Sequence, residues 1–177
     1  MDLVLQTPRL TLRLLRAGDA QALNRVANEA HILKWMPDWR SSPEDTLRLI
    51  ENIAPHFPEA TKEKARVIFG VFLDGVLIGI VGIGNKQEVN NEIETAYFIS
   101  ETYAGKGYTT EAVRAVSRWA LDSLKLSYLI AIVEPDNHPS QRVAEKCGFQ
   151  KLGTRMILNS GETEEKPFYY YRLYSDK

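Results

Sequence analysis

Residues 93–100 (Ile-Glu-Thr-Ala-Tyr-Phe-Ile-Ser) read as a strand that runs into Gly105-Lys106-Gly107, and this glycine turn opens a helix over 109–124 before a buried strand at 129–133. A strand, a helical crossover and a strand belong side by side and parallel in one sheet. The crossover helix turns Ala112, Val113, Val116 and Ala120 to one face, the face that must cover that sheet. This one segment commits the chain to an α/β architecture.

The remaining strands are antiparallel in character. Leu10, Leu12 and Leu14 alternate with Thr11 and Arg13, which describes a half-buried strand. Residues 67–73 and 76–84 flank Asp74-Gly75, a two-residue hairpin turn, and 149–158 and 167–173 flank the polar loop 159–162. Asp19 is placed to cap a helix carrying Leu23, Val26 and Ala27, and Ser42-Pro43-Glu44-Asp45 opens another carrying Leu47, Ile50 and Ile53. A short helix from about 140 to 147 ends at Gly148. The expected order is β-α-α-β-β-β-α-β-α-β-β, a mixed, mostly antiparallel seven-stranded sheet with a central parallel pair. The tyrosine-rich last strand, Phe168-Tyr169-Tyr170-Tyr171, is expected to be exposed and able to pair with a partner, as monomer or homodimer.

A chain of 177 residues fits one domain, 1–177, with a core that needs no staples. With 22 basic and 23 acidic side chains it has no field that would draw it to nucleic acid or a membrane surface. Cys147, the single cysteine, excludes an intrachain disulfide, and three scattered histidines do not make a metal site. The start, Met1-Asp2-Leu3-Val4, lacks a signal-peptide layout, so a cytoplasmic protein is expected.

The turn is the first candidate site. A helix start leaves unpaired N–H groups beside a partial positive charge, and glycines let the backbone close around an oxyanion, so Gly105, Lys106, Gly107, Tyr108, Thr109 and Thr110 suit a phosphate. Neither the dinucleotide fingerprint nor a P-loop fits, for the third glycine and the Gly-Lys-Ser/Thr run are missing. Taken alone, the turn reads more readily as a plain connection than as a phosphate site.

The cluster Val133-Glu134-Pro135-Asp136-Asn137-His138-Pro139-Ser140, continuing to Cys147-Gly148-Phe149, decides between these readings. Together with Thr7-Pro8-Arg9-Leu10-Thr11-Leu12-Arg13 and with 103–112, it resembles the GNAT superfamily of acetyltransferases, in the branch that contains the ribosomal-protein N-terminal acetyltransferases. The resemblance covers nearly the whole chain and implies the GNAT-like acyl-CoA N-acyltransferase fold, with acetyl-CoA as cofactor and an amine, best a protein or peptide α-amino group, as acceptor. It places the pyrophosphate on the turn 104–109, where Ala104 and Thr109 depart from the family pattern. It sets the backbone of Tyr97, Phe98 and Ile99 beside the pantetheine arm, splayed from 129–133. Asn137 matches an asparagine that bonds that arm, and Ser140 stands where the branch often puts a hydroxyl near the sulfur; both residues also suit helix capping. The tyrosine that serves many relatives as general acid is Ala144 here.

Glu94 falls where this branch carries the residue thought to take a proton from the amine, directly or through water; with a solution value of about 4.3, such a carboxylate needs burial or a water relay to act as a base near neutrality. It reads otherwise as an exposed strand residue. Trp35, Met36 and Trp39 either pack the core or wall the amine's entrance, and Cys147 reads as packing rather than as a nucleophile. Alternatives to the leading function are acetylation of a small amine such as a polyamine or antibiotic, and a non-catalytic acyl-CoA sensor.

Overall fold

The expected parallel pair sits at the centre of an eight-stranded sheet in the order β1-β2-β3-β4-β5-β6-β8-β7, in a computed structural model that describes residues 3–53 and 60–176. Met1 and Asp2, which begin the segment that lacks a signal-peptide layout, lie outside the described residues. In chain order the elements are β1 (Val4–Gln6), β2 (Thr11–Leu14), α1 (Ala20–Ala27), α2 (Ala30–Trp35), α3 (Pro43–Ile53), β3 (Arg66–Leu73) and β4 (Val76–Lys86). They continue with β5 (Glu92–Ile99), α4 (Tyr108–Ser123), β6 (Tyr128–Val133), α5 (His138–Lys146), β7 (Gln150–Ile157) and β8 (Lys166–Tyr174).

Four local expectations change. The eighth strand is β1, three residues paired with β2 from Val4↔Arg13 to Gln6↔Thr11, too short for alternation to announce it. Helix α2 was also not foreseen; it is six residues long and follows α1 after a two-residue break. Asp19 precedes α1 but does not cap it: its carboxylate accepts from the backbone N–H of Arg16 at 2.7 Å and from the Arg13 guanidinium at 2.8 and 2.9 Å. The last strand is neither exposed nor at an edge. β8 lies between β6 and β7, and Phe168, Tyr170 and Tyr171 are buried. A returning hairpin strand that inserts beside β6 buries both faces, which explains the run of aromatics; the edge is β7.

Other signals translate directly. Asp74 (φ 49°) and Gly75 (φ 80°) form the left-handed turn that joins β3 to β4. Ser42 Oγ accepts from the Asp45 N–H at 3.1 Å at the start of α3. Gly148 takes φ 93° after α5, as the end of a helix requires.

The two faces of the sheet are covered differently, and this makes the site. On one face, Ala112, Val113, Val116 and Ala120 of α4 and Ala144 of α5 pack on Val67, Phe69, Val81, Ile93, Leu129 and Ala131. On the other, α1, α2 and α3 cover only part of the sheet, through Leu23, Ile32 and Ile50 against Phe72, Ile80 and Phe98. A separate cluster of Val89, Ile130, Ile157, Phe168 and Tyr170 covers the β6–β8 portion. Between these two covers the sheet is left open.

Candidate active site

The opening coincides with a break in the sheet. β4 and β5 pair continuously over eight positions, from Gly79↔Ile99 to Lys86↔Glu92, but β5 and β6 share a single parallel pair, Glu94↔Ile130. Beyond it the strands diverge, and a cavity of about 770 Å³ fills the wedge, with 95–99 on one side and 131–133 on the other. Gly79 sits against the divergent end of β5: a Cβ there would collide with the Phe98 carbonyl oxygen and approach Ile99 Cα to 2.9 Å.

At one end of the cavity lies the glycine turn. Gly105 (φ 74°) and Gly107 (φ 82°) both adopt backbone that disfavours side chains, and Gly107 starts α4 without a side-chain cap. Glu111 N–H makes the first helical bond, to Gly107 O at 3.1 Å, so the N–H groups of Tyr108, Thr109 and Thr110 have no helical acceptor. All three residues, with Gly105 and Gly107, line the cavity; Lys106 does not, and its ammonium lies 3.4 Å from the Thr102 carbonyl. Arg142 and Lys146, one turn apart on α5, add positive charge to the same cavity. Their spacing of four was a readable signal that only the position of α5 makes meaningful.

In the middle, Tyr97 and Ser140 face each other. Ser140 Oγ donates to Tyr97 Oη at 3.1 Å, and Tyr97 Oη donates to the Ser140 carbonyl at 3.0 Å. Burial pushes the Tyr97 phenol well above its ordinary value, so it stays protonated. Asn137 is the N-cap of α5, its Oδ1 accepting from Ser140 N–H at 3.3 Å, and among the described residues its amide nitrogen makes no bond. Capping and a place on the cavity wall therefore coexist at Asn137. Phe98 contributes backbone to the wedge while its ring packs against Trp39, with centroids 4.9 Å apart.

At the other end stands Glu94. It is half-buried, lines the cavity and accepts no hydrogen bond among the described residues. Burial pushes its carboxyl up to about 7, with Lys86 opposing and Glu88 and Glu134 reinforcing the shift. Glu134, also on the wall and also raised by burial, was not singled out from sequence; nor was Glu162, from the β7–β8 loop. Trp35, Met36 and Trp39 line the cavity, Trp39 against Phe98, and Met36 and Trp39 also pack on the α1–α3 cluster. Cys147 is 8 % exposed, its Sγ 3.4 Å from the Thr110 carbonyl, and burial pushes its thiol up to about 11. A thiol so held is a poor nucleophile.

A family model described as an acetyltransferase (GNAT) domain matches residues 9–150. The chain belongs to the GNAT acetyltransferase family. Membership makes it an acetyl-CoA-dependent acyltransferase. YdaF of Bacillus subtilis, whose name carries a provisional assignment to ribosomal N-acetylation, is 28% identical over 146 residues, 81% of this chain and 79% of its own. The ribosomal-protein-serine acetyltransferase of Escherichia coli is 27% identical over 118 residues, 66% of this chain and 63% of its own. A GNAT-family acetyltransferase from Bacillus anthracis has the same fold, with a TM-score of 0.78 and 25% identity over 97% of this chain and 98% of its own. No helix among the described residues is long and apolar enough to cross a membrane.

Proposed function

We propose that this acetyltransferase modifies the α-amino group of a peptide or protein by direct transfer, with the coenzyme in the β5–β6 wedge and the amine arriving at Glu94. The observation that carries the reading is the single cavity that joins an uncapped helix N-terminus, a splayed strand pair and an unbonded carboxyl of raised pKa. The residues fit the group. Three free N–H groups and two left-handed glycines make a cradle for a pyrophosphate, and the open edge of β5 at 97–99 offers backbone to an amide-bearing arm. Bound there, acetyl-CoA supplies an activated acetyl thioester.

The chain's own residues do the rest. Glu94, about half ionised near pH 7, accepts a proton from the incoming ammonium, directly or through a water, because only the neutral amine has a lone pair for attack. Ser140 Oγ holds a transferable proton on the donor side; turning it away from Tyr97 gives up one hydrogen bond of about 1 kcal/mol. Tyr97 accepts a hydrogen bond from that hydroxyl and so fixes it. Trp35, Met36 and Trp39 wall the entrance with apolar surface that suits the first side chains of a peptide. Relatives named for ribosomal-protein acetylation support this acceptor class.

The test is acetyl transfer from labelled acetyl-CoA to a panel of peptides, polyamines and aminoglycosides. Transfer to peptides with free N-termini is the expected result; coenzyme binding with no turnover on any amine would instead favour a sensor.

A further inference from the structure

We infer that Arg9 is a positioning residue for the coenzyme's pyrophosphate: it does not touch the ligand but orients the peptide plane of the turn that does. This rests on the reading that the pyrophosphate lies on Gly105–Gly107. The block Thr7-Pro8-Arg9 precedes β2, about a hundred residues from the turn in sequence, yet it closes on it from behind. Arg9 Nη1 donates to the Lys106 carbonyl at 2.9 Å, Nε donates to Glu111 Oε2 at 2.7 Å, and the Arg9 backbone N–H donates to Glu111 Oε1 at 2.9 Å. Thr7 Oγ1 donates to the same Oε1 at 2.6 Å, and the guanidinium lies over the Tyr108 ring, 4.5 Å from its centroid.

Two consequences follow from peptide chemistry. In a planar trans peptide the carbonyl and the next N–H point in opposite directions. Arg9 holds the Lys106 oxygen on its own side, so the Gly107 N–H is aimed away from Arg9; Gly107 lines the cavity and Lys106 does not. The bond thereby keeps a carbonyl dipole, which would repel an anion, off the anion's side of the turn. The second consequence concerns charge. Glu111 lies in the first turn of α4, where an uncompensated carboxylate would compete with a bound phosphate for the helix dipole. Burial alone would raise the Glu111 carboxyl, but the bonds from Thr7 and Arg9 outweigh it and hold it below its usual value, ionised and internally neutralised. Arg9 matters here as a fork: one guanidinium reaches a carboxylate and a carbonyl at once, which an ammonium does not do in the same geometry.

Affinities of wild type, Arg9→Ala and Arg9→Lys for coenzyme A and for pantetheine, which lacks the pyrophosphate, test this. Removing the fork is expected to raise the Kd for coenzyme A about ten- to a hundredfold, as for hydrogen bonds to charged groups, and to leave the Kd for pantetheine within about twofold. Arg9→Lys is expected to keep the fold and most of the charge but to stay at least about fivefold weaker for coenzyme A. Added methylguanidinium is expected to restore part of the loss in Arg9→Ala. Equal weakening of both ligands, unchanged coenzyme A affinity, or full recovery in Arg9→Lys would each overturn the role, the last because it would reduce Arg9 to its charge. If Arg9→Ala does not fold, Arg9→Lys carries the comparison. A wild type that binds pantetheine as tightly as coenzyme A would instead overturn the placement of the pyrophosphate on this turn.

Discussion

Glu94 is a carboxyl whose environment favours its neutral form, and the sign of that preference can be read in both stability and rate. Its ordinary value is 4.5 and its value in the fold is about 7, so between these limits the unfolded chain binds fewer protons than the folded one. Stability then falls as pH rises from about 4.5 to about 7. Glu94→Gln removes the ionisation, so its melting midpoint is expected to exceed that of wild type at pH 8 and to approach it at about pH 4 and below; a variant less stable at pH 8 would contradict a desolvated carboxyl. The rate runs the other way, because the ionised form is the base. Wild-type kcat at saturating amine is expected to rise with pH to a plateau with an apparent value near 7, while Glu94→Gln loses about 10²- to 10⁴-fold and that limb of the profile. Ser140→Ala, measured beside it, is expected to lower kcat about tenfold and leave coenzyme affinity unchanged, since Tyr97 still donates to the residue-140 carbonyl and Asn137 still caps the helix. A Kd that shifts with kcat would assign Ser140 to binding instead.

At the scale of elements, Gly79 and Gly107 are required for different reasons, close backbone approach at 79 and a left-handed φ at 107. A methyl at 79 meets the Phe98 carbonyl and Ile99 Cα, both backbone atoms that cannot rotate aside. Gly79→Ala must force β4 from β5 beside the wedge, and is expected to cost about 1–3 kcal/mol in urea unfolding, with weaker coenzyme binding. Gly107→Asp adds a strained φ of 82°, a Cβ 3.3 Å from Arg9 Nη2, and a negative charge beside the anion site; a coenzyme A Kd raised by less than about tenfold would speak against the cradle. The turn was legible because left-handed backbone and helix starts have their own residues, and the parallel pair because a helical crossover allows few alternatives. What the sequence concealed was partnership across distance. Asp19 looked like a cap by position, but Arg13 claims its carboxylate. Tyr170 and Tyr171 looked exposed because strand order, which places β8 between β6 and β7, has no local signature. Glu134 became a site residue only once β6 ended at the cavity.

For the molecule as a whole, charge is unevenly spread over the cavity wall: the start of α4 with Arg142 and Lys146 on one part, and Glu94, Glu134 and Glu162, opposed by Lys86, on another, with Asp38 and Glu101 also on the wall. The first part suits an anionic donor and the second a cationic acceptor. An α-amino group, with a pKa of about 8, has roughly two orders of magnitude more neutral amine at pH 7 than a lysine at about 10.4, so a base near pH 7 suffices for the first and is poorly matched to the second. A short peptide with a free N-terminus is therefore expected to exceed the same peptide N-terminally blocked and carrying lysine by at least about tenfold in kcat/KM at pH 7. The margin is expected to shrink toward pH 9, as lysine gains neutral amine and the α-amino group saturates. Mass spectrometry of the products at both pH values measures rate and modified position together. Faster turnover on a polyamine or an aminoglycoside, or a lysine preference at pH 7, would show that the acidic part of the wall selects charge without selecting an α-amino group.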